Sequence, residues 1–157
     1  MDAAGSILMV LGIVLSILVV LGVVFGLVLL ALRSVAKRSR DTAHQQYPGA
    51  RLTDAGALFF GQQSRGVGQM RGNGTLIVTD SDVIFQQWVT NREFRIPLTA
   101  IQSFESPTSF LGKSQGVPLL KISFLNDSGE ADSMAWRVSD LSGVQHVIEE
   151  ARASVRN

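Results

Sequence analysis

"GTLIVTDSDVIFQQWV", residues 74–89, is the stretch on which the fold turns. Apolar residues fill Leu76–Val78 and Val83–Phe85, and the turn formers Asp80-Ser81-Asp82 stand between them. The pattern predicts two antiparallel strands, 74–79 and 82–89, joined by a tight connection. In the second strand Val83, Phe85 and Val89 share one face while Ile84, Gln86 and Trp88 share the other. One face is apolar and the other mixed, the signature of a half-buried strand.

Outward from this pair the same grammar repeats. "ALFFGQ" (57–62), "REFRIPL" (92–98), "AIQSFE" (100–105), "PLLKISFL" (118–125) and "DSMAWRV" (132–138) are short β-rich runs. Gly72-Asn73-Gly74, Thr90-Asn91-Arg92 and Asn126-Asp127-Ser128-Gly129 punctuate them. About seven close-spaced strands predict an antiparallel barrel or sandwich. The final segment changes period: Leu141, Val144, Ile148, Ala151 and Val155 recur at helical spacing. Ser139 or Ser142 is the expected cap, Ser142 with Gln145 matching a capping box. The apolar stripe of this helix is expected to close the open end of the barrel.

The N-terminal part obeys other physics. No charge occurs from Ala3 to Leu32, and the run from Ile7 to Leu32 exceeds the roughly 20 residues that a bilayer-spanning helix needs. A cleaved leader fits badly: Asp2 stands where a basic region belongs, and the apolar run is too long. Arg33, Lys37, Arg38 and Arg40 follow directly, so the positive-inside rule places the N-terminus outside and the C-terminal domain in the cytoplasm, at the plasma membrane. Those bases also attract anionic headgroups. Gly12, Ser16, Gly22 and Gly26 lie on one stripe of the helix, where small residues allow close packing with another copy or another membrane protein. No helix breaker comes before Tyr47-Pro48-Gly49, so the helix can run on to about Gln46. The expected organisation is a transmembrane helix over 1–33, a basic juxtamembrane segment and flexible linker over 34–55, and a β-domain over 56–157.

Composition narrows the function. Residues 41–157 hold 10 Lys+Arg and 12 Asp+Glu, a balance that argues against a nucleic-acid partner. Cysteine is absent, which removes disulfides and thiolate metal sites. The two histidines, His44 and His146, fall in a polar segment and beside a helix stripe, without the partners that a catalytic triad or metal site requires. Asp127, Glu130 and Asp132 lack the spacing of a calcium loop and read as a hairpin turn. Gly112-Lys113-Ser114 imitates the end of a phosphate loop. That loop needs Gly at the position of Pro107 and a helix next, but a strand follows. No enzyme activity, cofactor, metal or nucleotide is expected.

"GTLIVTDSDVIFQQWV", then "REFRIPLTAIQSFE", then a loop, a strand, a hairpin and a helix, resembles the bacterial PH-like and GRAM-type domains of the pleckstrin-homology (PH) superfold. Gly74, Leu76, Val78, Thr79, Asp80, Val83 or Ile84, Phe85, Ile96, Pro97, Leu98 and Ile101 fill the positions of that pattern, and the resemblance covers roughly residues 57–155. It implies a barrel closed by a C-terminal helix, and binding of phosphoinositides, peptides or proteins. Lipid phosphates dock at basic loops of such barrels. The resemblance therefore points to Arg65, Arg71, Arg92 and Lys113, with Phe110 and Leu111 beside them, as candidate contacts. The expected function is a membrane-anchored, non-catalytic binding or assembly module that recruits a protein partner or touches lipid headgroups. The alternative is a structural subunit of a membrane complex, assembled through the Gly22/Gly26 stripe.

Overall fold

The computed structural model describes residues 3–156; the side chains of Arg33, Lys37, Arg38, Arg40 and His44 lie outside the described ones. The chain divides into two compact units, Met1–Lys37 and Arg38–Asn157. The first belongs to helix α1 (Ala3–Gln46). Within it the 21 residues Leu11–Ala31 are long and apolar enough to cross a membrane. A helix suits such a run because each backbone N–H and C=O finds its partner inside the segment. The helix continues to Gln46 and stops where Tyr47-Pro48-Gly49 makes the turn.

The second unit is built on β1 (Leu52–Gln62), β2 (Gly72–Val78), β3 (Asp82–Gln87), β4 (Glu93–Pro97), β5 (Ile101–Glu105), β8 (Leu120–Leu125) and β9 (Ala131–Arg137). A small hairpin, β6 (Ser109–Phe110) and β7 (Lys113–Ser114), interrupts the long connection, and α2 (Leu141–Arg156) ends the domain. The seven main strands form one antiparallel sheet in the order β4-β3-β2-β1-β9-β8-β5. β1 pairs with β2 from Leu52 to Phe59 and with β9 from Leu58 to Gln62, and a bulge in each ladder bends it.

The expected closed barrel is corrected here: β4 and β5 are the two ends of the sheet and do not pair. They are joined by a tight turn, Leu98–Ala100, onto which α2 packs. Arg152 of α2 donates to the Ile101 carbonyl at 2.7 Å, so a side chain takes up a backbone acceptor of β5. The helix therefore covers the inner face of an open sheet. Three local expectations also change. β1 starts at Leu52, before the predicted 57, because the polar bulge at Asp54–Gly56 hides its alternation. β3 ends at Gln87, so Val89 stands in a turn, outside the core. The cap of α2 is Asp140, whose carboxylate accepts the Gly143 N–H at 3.0 Å; Ser139 is instead bonded to Asp54.

The inner face is lined by an aromatic cluster. Phe59 packs against Phe85, Phe94 and Trp136 with ring centroids 5.4, 4.7 and 5.8 Å away. Val144, Ile148 and Ala151 of α2 close over the same core. The outer face is covered in two places. Phe110 and Leu111 of the hairpin region lie with Phe60, Leu119 and Ala135, while Tyr47 and Ala50 pack on Ile77 and Ile84.

That second cover fastens the segment after α1. The Tyr47 hydroxyl donates to Glu93 Oε2 at 3.0 Å, Arg51 N–H bonds the Val78 carbonyl at 2.8 Å, and the Arg51 guanidinium meets Asp80 at 2.6 Å. The connection that the sequence suggests as a flexible linker is thus a short turn docked on the sheet.

One glycine tests the packing. A Cβ on Gly74 would stand 2.3 Å from the Gln86 carbonyl oxygen and 2.4 Å from the Phe85 ring, neither of which can swing aside. Gly74→Ala is expected to destabilise the domain by about 3 kcal/mol, through overpacking and backbone displacement. A chemical-denaturation midpoint equal to wild type is the contrary result.

Candidate functional site

The register places three connections at one end of the sheet. Gly74 faces Gln87, Phe59 faces Gly72, Gln62 faces Met134 and Leu125 faces Ala131. Residues 63–71, 88–92 and 126–130 therefore leave the sheet side by side. This end carries the most exposed large apolar side chains of the domain: Val67 at 70%, Met70 at 86% and Val89 at 91%. Three large apolar side chains left in water at one end of the sheet make that end the candidate contact surface.

A buried carboxylate organises the end. Asp132 accepts the Ser64 hydroxyl and the Gln62 amide at 2.6 Å each, the Ser64 N–H at 3.0 Å and the Ser133 N–H at 2.8 Å. Gln69 adds a second tie by donating to the carbonyls of Gln62 and Gly66, at 2.6 and 2.7 Å. Burial alone raises the Asp132 carboxyl, but the hydrogen bonds from Ser64, Gln62 and Ser133 outweigh it and hold its pKa below the usual range. The 63–71 loop is thereby clipped to β9. In the third connection, Asn126 Oδ1 accepts the N–H groups of Ser128 and Glu130 at 3.0 and 2.9 Å, which accounts for the turn and leaves Asp127 and Glu130 in solvent.

The residues singled out from the sequence fall into separate places. Arg65 stands over the Phe94 ring at 5.5 Å, on the side of the inner cluster. Arg71 stands over Phe60 at 4.8 Å, on the outer face, and donates to the Ser114 carbonyl at 3.3 Å. The sheet separates these two cations. Arg92 is exposed on the β3–β4 turn. Phe110 is buried and Leu111 half-buried in the outer cluster. Lys113 does not stand free in solvent: its ammonium donates to the carbonyls of Phe60, at 3.1 Å, and Gln69. It ties the hairpin to the end of β1 and to the 63–71 loop.

The hairpin explains the imitation of a phosphate loop. Leu111 and Gly112 form its two-residue turn with φ of +50° and +72°, the left-handed pair that fits the twist of two strands. A leucine there is strained by roughly 1 kcal/mol, and its side chain seats against the backbone of Gly61, where a Cβ would stand 2.9 Å from Leu111 Cδ1.

Sequence reasoning overlooked two kinds of residue. Met70, Val67 and Val89 resemble ordinary loop or strand residues until the register shows their shared end. Arg137 hides inside a strand pattern, yet its guanidinium is exposed on the outer face and donates to Gln115 Oε1 at 3.2 Å. Its alternation with the buried Trp136 was the available signal. In the described residues Arg51, Arg95 and Lys121 pair with carboxylates, whereas Arg65, Arg71, Arg92, Lys113 and Arg137 do not.

The Asp132 clip has a pH signature. A depressed carboxyl contributes stability that is present above the ordinary value, about 3.9, and is lost as pH falls through the lower folded value. Asp132→Asn is expected to lower stability at pH 7 by about 1–3 kcal/mol, since a donor amide meets donors. It should also flatten the loss of stability on acidification below about pH 4, measured by urea midpoints across pH. Parallel pH curves for variant and wild type would remove Asp132 from that role.

No family model and no curated protein matches the sequence. Among solved structures, the C-terminal domain of an unknown protein from Leishmania infantum is similar, with a TM-score of 0.51 at 10% identity over 73% of this chain and 97% of that one. At that identity the likeness speaks for the fold alone.

Proposed function

We propose that this chain is a single-pass, membrane-anchored, non-catalytic binding module of PH-like architecture. The observation that carries the reading is the single sheet end at which Val67, Met70 and Val89 stand in solvent beside Arg65 and Arg92. Supporting it are the C-terminal helix over the inner face and a first strand that pairs with both its successor and the last strand. The apolar 21-residue segment supplies the anchor, and Arg33, Lys37, Arg38 and Arg40 set the cytoplasmic side. The module recruits a protein partner or touches lipid headgroups through its loops. A photo-crosslinking residue at Val67 or Val89, in native membranes, is expected to give adducts, and their mass separates lipid from protein. The same residue at Ala153, exposed on α2, should give none. Equal adducts at all three positions, or none at the loops, would refute the reading.

A second reading, assembly through α1, has its own observation. The Ser16 hydroxyl donates to the Gly12 carbonyl at 2.8 Å, and a Cβ at Gly12, Gly22 or Gly26 meets nothing within 4 Å. The stripe is smooth and carries no unpaired hydroxyl, which favours close helix approach. Gly22→Leu with Gly26→Leu is expected to shift the chain to a smaller species on native gels in mild detergent. Unchanged mobility would remove this stripe as an interface.

A further inference from the structure

We propose that Arg71 and Arg137 form a seat for an acidic, extended segment of a protein partner, on the outer face of β1 and β9 beside the β6–β7 hairpin. The inference rests on the reading of the domain as a binding module and names the chemistry of its partner. Arg137 lies directly opposite Leu58 in the β1–β9 ladder, and Gly72 lies opposite Phe59 in the β1–β2 ladder. Arg71, the residue before Gly72, and Arg137 therefore flank β1 from its two sides, two strand spacings across and two residues along, about 12 Å apart at the backbone.

Both side chains reach toward the same short piece of chain. Arg71 bonds the Ser114 carbonyl at 3.3 Å and Arg137 bonds the side chain of the next residue, Gln115, at 3.2 Å. These are single, long bonds to neutral acceptors, so most of each guanidinium fork remains for a stronger one. Among the described residues neither cation has a carboxylate partner. Both are exposed, and stacking on Phe60 holds the Arg71 fork in place. Leu58 and Leu111, half-buried, supply apolar surface in the same outer-face cluster.

The surroundings favour carboxylates over a phosphate. The carbonyls of Phe60, Gln69 and Ser114 at this place are acceptors already held by Lys113 and Arg71, and they offer a compact dianion no donor. Lys113, the cation that would complete a phosphate site, is turned onto two of them. Two separate forks each suit one carboxylate in bidentate fashion. In an extended peptide, alternate side chains point the same way at about 7 Å spacing, within reach of two long arginines. Charge complementarity commits the seat to a strand-like segment with acidic residues at alternate positions.

The full chain, held in phosphatidylcholine nanodiscs, tests this with a fluorescein-labelled Glu-Val-Glu-Val-Glu-Val peptide. A saturable, salt-sensitive rise in anisotropy is expected. Arg71→Gln and Arg137→Gln should each weaken it about tenfold, and Arg71→Lys should restore only part, because an ammonium lacks the fork. Arg95→Gln, which removes an exposed cation on β4 that is already paired with Asp82 and Glu93, should change nothing. The proposal is overturned by an absence of binding, by an equal loss with Arg95→Gln, or by inorganic phosphate or a soluble inositol phosphate engaging the two arginines where the peptide does not. Crosslinks from Val67 and Val89 that persist in those cases would leave the module reading standing, so the two failures are distinguishable.

Discussion

The domain depends on one strand that is bound on both edges and buried on both faces. β1 pairs with β2 over its first part and with β9 over its last, and its side chains alternate between two cores: Ala57 and Phe59 inward, Leu58 and Phe60 outward. A slip of one residue would exchange both apolar sets and break both ladders at once. Hairpin, helix and loops are arranged around this constraint. α2 covers one face, the β6–β7 hairpin covers the other, and the connections that follow β1 and precede β9 meet at the end of the strand.

Two polar ties then make a defined surface from what would otherwise be loose loops. Asp132 gathers donors from Gln62, Ser64 and Ser133, and Lys113 spreads its charge over the carbonyls of Phe60 and Gln69. Each uses a single ionised group to satisfy several backbone or amide partners, an arrangement worth more than scattered surface ion pairs. Both ties act on the 63–71 loop, which carries Val67 and Met70.

Much of the architecture was legible because its period is strong. Val83 and Phe85 alternate with Ile84 and Gln86, and Val144, Ile148 and Ala151 recur at helical spacing; those signals survive folding because the core needs them. The apolar run from Ile7 to Leu32 was legible for a simpler reason, its length. What stayed hidden was non-local. Closure of the sheet depends on whether β4 and β5 meet, which no local pattern encodes. The hairpin at Ser109–Ser114 is too short to show a period, and its turn uses a leucine where glycine or asparagine is the usual sign. The candidate surface was the least legible, since Arg65 and Arg71 are six positions apart in sequence yet lie over opposite faces.

The open sheet has a consequence for crowding. An unclosed sheet presents two edges of unpaired backbone groups, a template on which another chain can add a strand. Both margins are blunted. β4 is five residues long, bears Glu93 and Arg95, and terminates at Pro97, which has no N–H to offer. β5 is bulged between Ile101 and Ser103, and Arg152 already occupies the Ile101 carbonyl. Growth by strand addition is thereby discouraged at each margin, so copies packed side by side can touch through side chains without fusing into a continuous ribbon.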